Sequence, residues 1–291
     1  MVLDADWPTP RSVLDILVTH APDVVFSVPA MYRALLRSGV AHHPAFRAPR
    51  LWVCAGEKLS RSVHSQWAEV TGARIIEGMG ASESIYMILT NFPDDAQGGS
   101  AGYPAPGVTA ELRGLDGERL DLPGGPGMLW ARMPSVSREY WRRPELTRRV
   151  LREGWFVTGD LFTVDRDGRW RHQGRQEDRF RMGETWVNPA DIEDTLTNLA
   201  EVADAAVNKR AHVQKMGVYL VAAPGVQETQ VAKAAHAALG REWPGIADHV
   251  DVLVIPELPR TASGKVQRHR LEPMRRFASE TPQRQNTKEA P

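Results

Sequence analysis

The chain has 291 residues, 42% hydrophobic and 25% charged, the balance of a globular protein with room for one large or two ordinary domains. Its 36 Lys and Arg residues equal its 36 Asp and Glu residues, which excludes a global field favouring nucleic acid or an anionic membrane. The single cysteine, Cys54, excludes an internal disulfide framework and fits a reducing cytoplasm; no stretch reads as a signal peptide or reaches the length of a membrane span.

The first ninety residues alternate helix and strand signals. "TPRSVLDILVTHAPD" offers Thr9 as an N-cap and Pro10 at the first helical position. "DVVFS" reads as a buried strand, and Pro29 opens a helix that stops at Gly39. "RLWVCAG" is the next strand, which places Cys54 as a buried strand residue rather than a nucleophile. "SRSVHSQWAEVTG" is the next helix and "ARIIEG" a third strand. Strands separated by helices imply a parallel sheet with helices packed on it. The loop "GMGASESIYM" follows the third strand, at the carboxyl end of the sheet, where open α/β folds place ligands.

From Gly98 the texture changes to Gly- and Pro-rich turns between short β pieces such as "VTAELRG" and "GMLWAR", the pattern of a small antiparallel sheet or barrel. "DRDGR" is a hairpin turn between two further strands. After "GRQED" helices and strands alternate again: a helix from Pro189, strands in "EVADAAVNKR" and "MGVYLVAA", the helix "ETQVAKAAHAALG", the strand "HVDVLVIPELP" and a last helix from Val266 to Phe277. Arg268, Arg270, Arg275 and Arg276 read as a solvated face of that helix. The expected organisation is α/β: a partial parallel-sheet subdomain over 1–97 and a β-barrel-like subdomain over 98–176. A smaller mobile α+β domain over 177–277 follows, then a disordered tail over 278–291.

Three short stretches carry groups suited to chemistry. In "GMGASE", glycines let a backbone pass close to an anion, exposed N–H groups and a hydroxyl suit phosphate oxygens, and the Glu83 carboxylate suits Mg²⁺. A tight turn with a solvated Glu83 is the simpler alternative. In "GWFVTGDL", Asp160 offers an acceptor for two adjacent ribose hydroxyls, or caps a turn. In "LPRTASGKVQR", Lys265 ends a Gly-containing loop that lacks the first glycine and the final Ser/Thr of a Walker motif. Such a loop either closes over an anion or leaves an ordinary surface lysine.

The order of these stretches, with "VPAMYRALL", "CAGEKL", "SREYWRRPE" and "GRQEDRFRMGETWVNPADIE", resembles the adenylate-forming superfamily from about Pro22 to Leu271. "SAGYPAPGVTAELR" and "GASESIYMILTN" look most like benzoate- and hydroxybenzoate-CoA ligases. The resemblance implies ATP, Mg²⁺ and coenzyme A as co-substrates and cofactor, and a small, aromatic carboxylic acid as substrate. The acid attacks the α-phosphate of ATP, a second half-reaction moves the acyl group to coenzyme A, and the smaller domain rotates between the steps. Carried over, Glu83 binds Mg²⁺ and Ser82 contacts phosphate. Gly56, Glu57, Glu77, Gly78 and Met79 line the adenine site, Asp160 and Arg175 hold the ribose, Lys265 bridges carboxylate and α-phosphate, and Glu177 is the hinge. Ile85, Tyr86 and Met87 neighbour the acid pocket or simply pack.

Three departures accompany the resemblance. A Ser/Thr/Gly-rich phosphate loop expected ahead of this region is absent from the 291 residues, so a separate N-terminal half or a full-length relative is an expected partner. Arg181 stands where the family has Lys, and Glu184, with Gly183 one residue early, occupies the glycine position of the pantetheine tunnel, which puts the thioester step in question. The alternative function is an inactive remnant acting as a nucleotide- or partner-binding accessory protein.

Overall fold

The computed structural model describes residues 8–182, 185–209, 215–261 and 266–271. The chain divides into two compact units, Met1–Arg179 and Phe180–Pro291.

The first unit opens with α1 (Pro10–His20), β1 (Val24–Ser27), α2 (Pro29–Arg37), β2 (Leu51–Cys54), α3 (Arg61–Thr71) and β3 (Ile75–Gly80). Local chemistry sets the helix ends. Thr9 and Ser12 form a reciprocal capping box on α1, and Ser60 Oγ accepts from the Val63 N–H on α3. β4 (Met87–Thr90) and β5 (Tyr103–Pro104) complete a sheet of order β1-β2-β3-β4-β5. β1, β2 and β3 are parallel, while β4 and β5 run antiparallel to their neighbours. The expected loop after the third strand therefore starts later than "GMG": Gly78, Met79 and Gly80 are strand residues paired with β4. An added Cβ at Gly78 would lie 2.8 Å from Met87 Sδ and 3.1 Å from the Leu89 carbonyl oxygen, so close packing across the strands, rather than turn formation, favours glycine there.

Helices and sheet enclose an aromatic cluster. Trp67 of α3 meets Trp52 and Tyr32 edge-on at 4.7 and 4.9 Å between ring centroids, and Phe46 stacks on Trp52 at 5.8 Å. Tyr32 also donates to the Val53 carbonyl at 2.9 Å, which satisfies its buried hydroxyl. On β1, by contrast, Val24 and Phe26 are 51% and 62% exposed.

β6 (Thr109–Arg113), β7 (Gly124–Arg132), α4 (Pro144–Val150), β8 (Leu151–Arg152), β9 (Trp155–Val164) and β10 (Trp170–Arg175) build the second sheet. Its order is β10-β9-β7-β6, with β8 on β9, all antiparallel; Asp165–Gly168 turns β9 into β10. The expected barrel is instead an open sheet. Its apolar side is covered by the first sheet rather than by closing on itself: Ile88, Leu89 and Ala101 join Leu112, Leu129, Phe156, Phe162 and Trp170 in one cluster. The two sheets meet at Gly102, which bridges to Trp170. Gly102 has φ +81°, and a Cβ there would lie 2.1 Å from the Thr90 carbonyl oxygen. At Gly107, with φ +82°, nothing lies within 4 Å. Gly107→Ala is therefore expected to cost about 1 kcal/mol, and Gly102→Ala clearly more, because backbone has to move as well. Chemical denaturation of the two variants checks the ranking; equal losses would show that strain at positive φ, not the close approach, dominates.

The second unit contains the hairpin β11 (Phe180–Met182) and β12 (Thr185–Val187), then α5 (Pro189–Thr197), β13 (Val202–Lys209), β14 (Met216–Ala222), α6 (Glu228–Glu242) and β15 (Val250–Val254). β14 is central, antiparallel to β13 and parallel to β15. Ile192, Leu196, Val231, Ala235 and Leu239 from the two helices bury against Val207, Val218 and Leu220 of the sheet. Where a helix was expected from Val266, a bridge residue is followed by a 3-10 turn at Arg268–Arg270; 272–277 lie outside the described residues. Arg268 is not a solvated cation. Its guanidinium pairs with Glu193 through both nitrogens and donates to the Val207 carbonyl, which ties the turn to α5 and β13. Arg275, Arg276 and the tail 278–291 also lie outside the described residues, as do Gly183 and Glu184.

Candidate active site

Glu83 sits in the connection between β3 and β4, residues 81–86. Ser84, fully buried, builds it: its hydroxyl accepts from the Ala81 N–H at 3.0 Å and lies 2.9 and 2.7 Å from the carbonyls of Ala81 and Tyr86. With Ser84 turned inward, Ser82 is exposed and Glu83 half-buried at the surface. Ile85 is 80% exposed and adopts φ +59°. A β-branched residue held in the left-handed region costs about 1–2 kcal/mol, and such strain gathers at functional loops.

A second segment straps this loop from the far side. After β7, the Ser135 hydroxyl donates to the Ser84 carbonyl at 2.6 Å, the Ser137 N–H to the Glu83 carbonyl at 2.7 Å, and the Tyr140 hydroxyl to Glu83 Oε1 at 2.5 Å. Glu83 Oε2 carries no hydrogen bond among the described residues. Burial and the neighbouring Glu83 carboxylate push Tyr140 up to about 12, with Arg149 and Arg175 opposing.

Asp160 and Arg175 are register partners on β9 and β10, beside a bulge between His172 and Arg175. Asp160 Oδ1 lies 2.9 Å from His172 Nε2 and 3.9 Å from Arg175 Nε. Arg175 Nη2 donates to the Thr158 carbonyl at 3.2 Å. Its Nε also lies 3.6 Å from Glu177 Oε1, so the expected hinge residue shares a guanidinium with the expected ribose carboxylate. Glu83 with Tyr140, and Asp160 with His172 and Arg175, form two groups of contacts, both in the first unit.

The residues expected at the adenine side are placed differently from one another. Gly56 has φ +98° and is exposed; Glu57 lies 4.0 Å from Arg33 Nη2. Gly78 and Met79 are in β3, with Met79 half-buried. Glu77 is inside: its Oε1 accepts from the Leu59 N–H at 3.0 Å and its carbonyl accepts from Asn91 Nδ2 at 2.9 Å. Its side chain therefore serves the interior. Cys54 is fully buried, and its thiol is pushed up by burial, then by the Glu77 and Glu57 carboxylates, which leaves no thiolate for chemistry. Lys265 lies outside the described residues. Tyr140 and His172 were not singled out in the sequence; the Tyr inside "SREYWRRPE" and the His two residues before "GR" were the available signals.

Among the described residues, no group of three or more His, Cys, Asp or Glu side chains could hold a metal ion, and no helix is long and apolar enough to cross a membrane.

Residues 1–141 match the model described as AMP-binding enzyme, and residues 191–265 the model described as AMP-binding enzyme C-terminal domain. The chain belongs to the AMP-binding enzyme family. It is 36% identical over 277 residues to the 3-hydroxybenzoate–CoA ligase of Aromatoleum sp. (strain CIB), covering 93% of this chain and 53% of that protein. Over 279 residues it is 30% identical to the benzoate–CoA ligase of Thauera aromatica, covering 93% and 52%. The crystal structure of an anthranilate CoA ligase in complex with anthranoyl-AMP superposes with a TM-score of 0.84 at 28% identity, covering 92% of this chain and 52% of that one. The chain spans about half the length of the curated relatives it matches.

Proposed function

We propose that this chain carries the nucleotide-binding and lid portion of an acid–CoA ligase that forms an acyl-adenylate from an aromatic carboxylate and ATP, then passes the acyl group to coenzyme A. The observation that supports this most is the pair of contacts Glu83–Tyr140 and Asp160–Arg175, both within one unit. The relatives named as hydroxybenzoate, benzoate and anthranilate ligases support the aromatic class of acid.

In this reading Asp160 accepts from the two ribose hydroxyls, and Arg175 and His172 hold its carboxylate in register. Glu83 presents Oε2 toward the phosphates. A Mg²⁺ ion bound there would offset phosphate charge. The Ser82 hydroxyl and the backbone beside it face the same anion. Lys265 supplies the ammonium for the carboxylate and α-phosphate, where negative charge gathers in the transition state. Turnover is proposed to need the segment that the relatives carry beyond the half matched here, as part of the same chain or supplied by a separate one.

Pyrophosphate release with a panel of benzoates, hydroxybenzoates and anthranilate tests the reading, run with the chain alone and with the N-terminal half of a relative added. Release is expected with an aromatic acid, falling about 100-fold or more in Lys265→Ala. No release under either condition, with no AMP binding by calorimetry, would overturn the proposal. The accessory alternative draws no support from the relatives, which are named as ligases.

A further inference from the structure

Three hydrogen bonds join the strap after β7 to the Glu83 loop, and they are not equivalent. Those from the Ser135 hydroxyl and the Ser137 N–H go to main-chain carbonyls and already fix the loop's path. The third, from Tyr140, spans 57 residues of sequence to reach a side-chain oxygen. It adds little to the backbone's placement and determines one thing, the orientation of the Glu83 carboxylate.

Tyr140 is itself anchored. Its N–H donates to Thr147 Oγ1 at 2.9 Å, and that hydroxyl lies 3.0 Å from the Arg143 carbonyl at the start of α4. Resting on the nucleotide-site reading above, we infer that Tyr140 is a positioning residue: it occupies Oε1 of Glu83 and thereby aims Oε2 at a divalent cation carried on the nucleotide's phosphates. A ligand carboxylate held by an outer partner binds its metal about 10–100-fold more tightly than one left free to rotate.

The test separates metal-dependent from metal-independent binding. AMP without metal and the Mn²⁺–ATP complex are titrated calorimetrically into the wild-type chain, Tyr140→Phe, Glu83→Gln and the double variant. Expected for Tyr140→Phe is AMP affinity within about twofold of wild type and Mn²⁺–ATP affinity about tenfold weaker. In the Glu83→Gln background the same change is expected to add nothing. Equal Mn²⁺–ATP affinity in wild type and Tyr140→Phe would overturn the assignment and leave the nucleotide site standing. So would a Tyr140→Phe loss that persists in Glu83→Gln, since the phenol would then act through packing. A wild-type chain that binds neither ligand overturns the nucleotide-site reading and this assignment with it.

Discussion

Asp160→Ala is expected to weaken AMP binding about 100-fold, measured by calorimetry on the folded variant. Two hydrogen bonds to a charged acceptor contribute about 1.5 kcal/mol or more each, and every 1.4 kcal/mol is a factor of ten. The side chain is mostly enclosed, and its removal also leaves His172 and Arg175 without their shared acceptor. Thermal unfolding of the same variant distinguishes these effects. A small change in midpoint with a large loss of affinity is the expected pair. Retained affinity would move the ribose role away from β9.

The largest effect on stability is expected from Trp67→Ala. Trp67 is fully buried and meets three other rings, those of Tyr32, Phe46 and Trp52. Truncation removes an indole from a site walled by other rigid rings, which collapse poorly into the void, so the cost is about 3–5 kcal/mol. The cluster belongs to the first unit, whose unfolding transition should move while that of Phe180–Pro291 stays in place. Denaturant curves followed by tryptophan fluorescence for the first unit, and by proteolytic resistance for the second, report on each. A loss below about 1 kcal/mol would mean that the cluster is loosely packed.

The sequence revealed local features more readily than distant ones. The parallel run β1-β2-β3 was legible because strand and helix signals alternate there, with Thr9 read as an N-cap. The β9–β10 turn was legible because Asp165–Gly168 has the residues a tight turn demands. The glycines of "GMG" misled for a physical reason. Glycine signals a turn by its dihedral freedom, yet Gly78 sits in a strand and packs closely against Met87 and the Leu89 carbonyl, a fact of tertiary packing. The expected barrel failed in the same way: short antiparallel strands show their pairing, while the cover over their apolar side comes from β4, in a different sheet.

Among the site residues, "GMGASE" and "TGD" drew attention to Glu83 and Asp160 because their types suit phosphate, metal and diol, while Arg175 came only with the family resemblance. The partners that orient them were not legible. Tyr140 bonds to a residue 57 positions away, and His172 reaches Asp160 only through β-sheet register. Glu77 shows the opposite limit: a carboxylate beside a glycine reads as available, yet its oxygen caps the Leu59 amide in the interior.

The burial of Cys54 has a practical corollary. The chain's lone native thiol is sealed among tryptophans and carboxylates, so maleimide dyes should pass it by and find only a cysteine placed on purpose. One such handle at Ser82 and another on α6 would report the distance between the two units by energy transfer, with the native background already silent.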